Sequence, residues 1–136
     1  MTKTLQDATI IVVEDDPNAQ LVAIDLLRMG GCNQCYARKS VDDALRLAER
    51  LPGVDMFLAD INMPVKSGFD MLTAVRNHPT LSSAQVVAMT AATLEEDVEK
   101  AKAAGFDGFM SKPLKAMSFA AQINQILSGE KVWDWR

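Results

Sequence analysis

The sequence predicts a doubly wound α/β domain in which a parallel five-stranded sheet is covered by helices on both faces. Three observations lead there. Apolar runs such as Ile10-Ile11-Val12-Val13, Met56-Phe57-Leu58-Ala59 and Val86-Val87-Ala88-Met89 lack polar alternation, as strands buried on both sides do. Each is followed, after a short connection, by a stretch with helical spacing, so strands and helices alternate. Two of the strands end abruptly in carboxylates, Glu14-Asp15-Asp16 and Asp60, and in open parallel sheets ligands bind just beyond the carboxyl ends of the strands.

The elements follow in order. The first strand, Ala8 to Val13, is β-branched and apolar; Asp16 before Pro17 reads as an N-cap with proline at the first helical position. Leu21, Ile24, Leu27 and Arg28 continue at helical spacing until Gly30-Gly31 stops the helix. A weaker strand, Cys35 to Arg38, precedes a helix opened by Ser40 and Asp43, which carries Ala44, Leu45, Leu47, Ala48 and Leu51 and ends at Pro52-Gly53. After the Asp60 strand, Ser67-Gly68 leads into a helix with Phe69, Leu72 and Val75 inward, closed before Pro79 because the residue preceding a proline disfavours helix.

Val86 to Thr90 is the fourth strand, and Thr93 with Glu96 predicts a capping box for a charged helix through Leu94, Val98 and Ala101 to Gly105. That helix has little apolar surface. Gly108 to Ser111 is a short fifth strand ending at Lys112-Pro113, and Met117, Ala120, Ile123, Ile126 and Leu127 form the stripe of a last helix before Gly129. The expected division is a domain over residues 1–129 and a tail over 130–136, whose two tryptophans, Trp133 and Trp135, are expected to lie against their own domain or a partner.

A chain of 136 residues suits one such domain. Its net charge of -4, with basic residues scattered, argues against a nucleic-acid or anionic-membrane surface. With neither a charged-then-apolar leader nor an apolar run near the ~20 residues of a membrane span, the expectation is a cytoplasmic protein without membrane contact. Cys32 and Cys35 have redox-motif spacing, but a thioredoxin-type pair opens a helix whereas this pair enters a strand, so both thiols are expected to stay reduced.

The fold class gathers Glu14, Asp15, Asp60, Thr90 and Lys112 along one sheet edge. Taken singly, each has an ordinary reading as a solvated loop charge or a structural strand end. Together, three carboxylates repel unless a hard divalent cation or an ammonium group compensates them. Lys112 supplies the ammonium, and Mg²⁺ suits the carboxylates. A carboxylate so placed is a competent nucleophile toward phosphorus, with Thr90 positioned to hydrogen-bond a product oxygen.

These residues resemble a known family, the CheY-like receiver domains of two-component response regulators, whose strand order is 2-1-3-4-5. VVEDDP after the first strand, LADINMP after the third, MTA after the fourth and SKP after the fifth fall in family order across residues 8–128. The resemblance implies that Asp60 accepts a phosphoryl group from a histidine kinase or histidine phosphotransfer protein. Glu14, Asp15, Asp60 and the backbone carbonyl of Asn62 would hold Mg²⁺, and Asp16 would be a cap rather than a ligand. Thr90 and Lys112 would contact the phosphoryl group, Phe109 would be the switch aromatic turning inward, and Lys112-Pro113 would be a cis peptide.

Phe109 lacks the hydroxyl of the commoner tyrosine, so no phenolic hydrogen bond can carry the signal. The resemblance also implies a signalling protein rather than an enzyme. The receiver is expected to fill the chain, so that output passes to a downstream protein target through the face of the fourth helix, fifth strand and fifth helix.

Three rival readings compete with it. A phosphatase of the haloacid-dehalogenase type wants a second aspartate two positions after the nucleophile, where this chain has Asn62. Flavodoxin-like cofactor binding would set a phosphate against Glu14-Asp15-Asp16. A degenerate receiver acting as a constitutive interaction module would take up no phosphate.

Overall fold

The computed structural model describes residues 3–91 and 94–135. Its strands are β1 (Thr9–Val13), β2 (Gln34–Arg38), β3 (Met56–Asp60), β4 (Gln85–Thr90), β5 (Gly108–Ser111) and β6 (Val132–Asp134). Its helices are α1 (Pro17–Met29), α2 (Val41–Arg50), α3 (Gly68–Arg76), α4 (Glu95–Ala104) and α5 (Phe119–Leu127). The strands pair in parallel in the order β2-β1-β3-β4-β5-β6. This is the expected doubly wound, CheY-like fold with one correction. The segment set apart as a tail, 130–136, supplies through Val132–Asp134 a sixth strand on the outer edge of β5.

The apolar runs are continuous because alternate residues feed two cores. Ile11, Val13, Phe57 and Ala59 pack with Val41, Ala44, Met71, Val75 and Val98 of α2, α3 and α4. Ile10, Val12, Met56 and Leu58 pack with Ala23, Leu27, Phe119, Ile123 and Ile126 of α1 and α5. Every residue of β1 and β3 is therefore buried, and a polar side chain in the middle of either would face a helix rather than water.

Local chemistry starts the helices close to where the sequence puts them. The Asp16 carboxylate accepts from the N–H groups of Asn18 and Ala19, at 3.4 and 3.3 Å, with Pro17 at the first helical position. The Ser40 hydroxyl accepts from Asp43 N–H at 3.2 Å. Ser67 caps α3, and the Asp70 carboxylate returns to accept from Ser67 N–H at 2.8 Å. For α4, Thr93 of the expected capping box lies outside the described residues; the cap is Leu94, whose N–H donates to Asp97 rather than to Glu96.

Two apolar positions differ from the expected stripes. Leu21 is exposed, and α1 buries Ala23 beside the expected Leu27, four residues apart, the small alanine letting the helix lie close to the sheet. Met117 is fully exposed because α5 begins only at Phe119, which heads the buried row Phe119, Ile123, Ile126.

Candidate functional site

The sheet delivers its functional residues from four strand ends. Strand register sets Val13 of β1 level with Ala59 of β3, and Thr90 of β4 level with Ser111 of β5, so Glu14, Asp60, Thr90 and Lys112 emerge at the same edge. The strand order reverses between β1 and β3, which opens the crevice where doubly wound sheets bind ligands. Asp60 is the last residue of β3 and Glu14 follows β1 directly, so this crevice is walled by carboxylates.

Carboxylate oxygens of Glu14, Asp15 and Asp60 lie within 4.8 Å of one another. Glu14 and Asp60 are buried and Asp15 is exposed. The Lys112 ammonium donates to Asp60 Oδ2 at 2.8 Å and also to Glu14 Oε1. Asp60 Oδ1 accepts from Asn62 N–H at 2.8 Å, and the Glu14 carboxylate accepts from Asp16 N–H at 3.2 Å. The Asn62 side-chain amide donates to Thr90 Oγ1, which ties the β3–α3 loop to the end of β4. Lys112–Pro113 is cis, and Lys112 N–H donates to Thr90 O at 2.9 Å.

Burial pushes the Glu14 carboxyl above its ordinary range, against the hydrogen bonds from Lys112 and Asp16 N–H, and the charge of Asp60 adds to the rise. Burial works the other way on Lys112, but hydrogen bonds to Asp60 and Glu14 outweigh it and hold the ammonium above its ordinary value. Three carboxylates against one ammonium leave the crevice negative, a set of hard oxygen donors suited to a divalent cation such as Mg²⁺.

Each sequence-derived site residue except Phe109 reaches this cluster or contacts it. Phe109 is fully buried in the core on the α2–α4 side, so in this conformation the ring of the expected switch aromatic lies inside. Asp55 and Asp70 lie elsewhere; Asp55 Oδ2 accepts from Thr9 N–H at the opposite end of the sheet, and Asp70 accepts from Ser67 N–H in the α3 capping box.

Three contributors escaped the sequence reading. Gln20, one turn into α1, donates its amide to Glu14 O at 2.6 Å and holds the acidic loop. The Asn62 side chain holds Thr90, a role its place two residues after a strand-end aspartate could have suggested. Gly68 opens α3 so close to the site that a Cβ there would stand 3.0 Å from Asp60 O and 2.9 Å from Ile61 Cγ2. Beside Lys112 a cavity of about 310 Å³, lined by Asn18, Val22, Met89, Ala91 and Pro113, opens between α1 and the β5–α5 loop.

Known proteins resemble this chain in sequence or in fold. An uncharacterized 14.6 kDa protein in the sodA1 3′ region of Leptolyngbya boryana is 31% identical over 124 residues, covering 90% of this chain and 92% of its own length. Chemotaxis protein CheY4 of Vibrio cholerae superposes with a TM-score of 0.79 at 24% identity, over 88% of this chain and 98% of its own. The receiver domain of sensor histidine kinase PA1611 from Pseudomonas aeruginosa PAO1 superposes with a TM-score of 0.77 at 27% identity, over 90% of this chain and 98% of its own. That structure has a magnesium ion coordinated in its active site cleft. Among the described residues of the present chain, no helix is long and apolar enough to cross a membrane. The family model for the response regulator receiver domain matches residues 10–124, and the chain belongs to that family of two-component signalling domains.

Proposed function

We propose that the chain is a phosphoacceptor switch that acts in the cytoplasm, taking a phosphoryl group on Asp60 from a phosphohistidine of a histidine kinase or phosphotransfer protein. The observation that carries this reading is the placement of Asp60, buried at a strand end, with the Lys112 ammonium 2.8 Å from one carboxylate oxygen and an acidic pair alongside. In the transfer, the donor's P–N bond breaks as an Asp60 O–P bond forms, and the imidazole nitrogen leaves with the bonding electron pair. Glu14, Asp15, Asp60 and the Asn62 carbonyl are the groups that would hold Mg²⁺, which when bound neutralises charge on the phosphoryl oxygens.

Lys112 shares that neutralising role from the protein side, and its short tether to β5 keeps it aimed at Asp60. Thr90 Oγ1, now accepting from the Asn62 amide, stands at the same edge as a donor for a phosphoryl oxygen. The cavity between α1 and the β5–α5 loop gives the donor imidazole an apolar approach beside Lys112.

Output is proposed to run through the face of α4, β5 and α5 to a protein target. The Phe109 ring lies inside in this conformation, and the moving part proposed here is Thr90 together with β4 and β5, which pair at Thr90 and Ser111. Phosphorylation adds about two negative charges and strong acceptor oxygens beside Thr90, enough to redirect its hydroxyl.

The test is labelling with acetyl phosphate or a cognate phosphohistidine protein in the presence of Mg²⁺. Wild type should be labelled and Asp60→Asn should not. Undiminished label in Asp60→Asn would place the acceptor elsewhere, and absence of label in wild type would leave the degenerate-receiver reading.

A further inference from the structure

The β5 edge between α4 and α5 is already filled. β6 runs parallel to β5 with Val132, Trp133 and Asp134 level with Gly108, Phe109 and Met110. Strand alternation sends its side chains both ways. Trp133 turns to the α4 side, where Lys102 Nζ lies 5.4 Å from the ring centroid, a cation–π contact, and Trp133 and Trp135 pack on the core that holds Val98 and Ala101. Asp134 turns to the α5 side, where Lys115 Nζ and the Gln122 amide donate to its two carboxylate oxygens at 2.6 and 2.9 Å. Val132 packs on the other core, which contains Ile123 and Ile126.

The receiving surface is shaped for a backbone. At Gly108 a Cβ would stand 3.2 Å from Val132 O and 2.8 Å from Ile126 Cδ1, so a side chain there would crowd the β6 backbone and have to move the Ile126 end methyl. With β6 displaced, the slot would offer the β5 backbone groups that β6 now pairs, a cation on α4 for an aromatic ring, and a cation with an amide near α5 for a carboxylate. Its present occupant is only three residues long and remains partly exposed throughout, so it is a small element to exchange for another strand.

We propose that this slot is the docking site for an extended segment of a target protein, with an apolar, aromatic, acidic pattern, added parallel to β5, and that Val132–Asp134 is an internal occupant the target displaces. The target's chemistry is read from what the slot holds and from the charges of Lys102 and Lys115. Strand addition to a sheet edge gives main-chain affinity, while the flanking pockets give specificity. The proposal rests on the reading that the α4–β5–α5 face carries output, and it makes the tail a competitor on that face.

The experiment uses the full chain and a fluorescent peptide of residues 131–135, followed by anisotropy. An attached tail competes at an effective concentration of about 1 mM. Against a peptide that binds at ~10 μM, wild type should therefore bind about a hundredfold more weakly than Trp133→Ala/Asp134→Ala. In that background Lys102→Ala and Lys115→Ala should each weaken the peptide, and a peptide with alanine for its tryptophans and aspartate should not bind. Circular dichroism and Asp60 labelling on the same samples report folding and phosphoryl uptake. Trp133→Ala alone serves where the double variant is unfolded.

Equal binding to wild type and variant, or no binding to a folded variant, overturns the slot. Concentration-dependent dimers of wild type held by exchanged tails would assign the edge to a second copy and overturn it as well. Normal peptide binding with no Asp60 labelling would instead refute the phosphoacceptor reading and leave the slot standing.

Discussion

Replacing Asp15 by Asn is expected to stabilise the metal-free protein while removing its response to magnesium. Lys112 donates to Glu14 and Asp60, and Asp15 is the exposed member of the trio, its carboxylate within 4.8 Å of both others. Its charge therefore meets two like charges. At 4.8 Å each repulsion is worth about 0.9 kcal/mol even at the dielectric constant of water. Salt screens an exposed charge, which leaves a gain of about 1 kcal/mol at low ionic strength, or about 4 °C in Tm for a domain of this size. Asparagine keeps the shape and one acceptor, so packing changes little. Thermal or urea unfolding in EDTA, at low and high salt and then with Mg²⁺, separates the contributions. At a tenfold excess over its Kd, Mg²⁺ should stabilise wild type by about 1.4 kcal/mol and Asp15→Asn by far less. An Asp15→Asn protein less stable than wild type in EDTA, or one with an undiminished magnesium response, refutes the reasoning.

Gly68→Ala should lose about 1 to 2 kcal/mol although alanine is the better helix former, because the new methyl meets Asp60 O and Ile61 Cγ2 at 3.0 and 2.9 Å. It should also slow phosphoryl uptake by displacing the Asp60 loop, and urea unfolding that shows a more stable variant contradicts the close approach. Burial pushes the Cys32 thiol up to about 11, with the neighbouring Cys35 adding to the rise and a hydrogen bond from Gln34 N–H opposing it. Since an unfolded thiol titrates near ~8.5, the stability tied to Cys32 is fully present below that pH and is lost as pH rises toward the folded value. Unfolding followed from pH 8 to 11 should show that decline in wild type and not in Cys32→Ala, and a thiol reagent at pH 8 should modify Cys35 well before Cys32.

Much of the site was legible because strand ends are marked by abrupt changes of chemistry. Val13 to Glu14 and Ala59 to Asp60 each pass from a buried aliphatic residue to a carboxylate, and parallel topology brings both to one crevice. Caps were legible for the same local reason: Asp16, Ser40 and Ser67 satisfy backbone donors within three residues of themselves. What the sequence hid depends on close approach between elements. Leu21 outranks Ala23 in hydrophobicity, yet α1 lies near enough to the sheet that the smaller side chain is the one buried. Phe109 cannot be assigned to one side of a strand until its neighbours are known; here it stands level with Ala88, whose small side chain leaves room for the ring in the core.

The tail and α4 show the same limit from both sides. Read alone, α4 has charged residues and few apolar ones, burying only Val98 and Ala101, a helix with too little surface to hold its place firmly. Read alone, Val132 to Trp135 is too short to show a period and too aromatic for a free end. In the folded chain each accounts for the other: Trp133 lies beside Lys102, and both tryptophans pack on the core that α4 only partly covers. The position of α4 is then a shared property of the tail and of the β4–β5 edge that carries Thr90. Any movement of Thr90 toward a phosphorylated Asp60 works against, or with, the contacts of β6. Removing those contacts should therefore alter α4 more than it alters Asp60 chemistry, because the crevice is held from β1, β3 and the Lys112 end of β5.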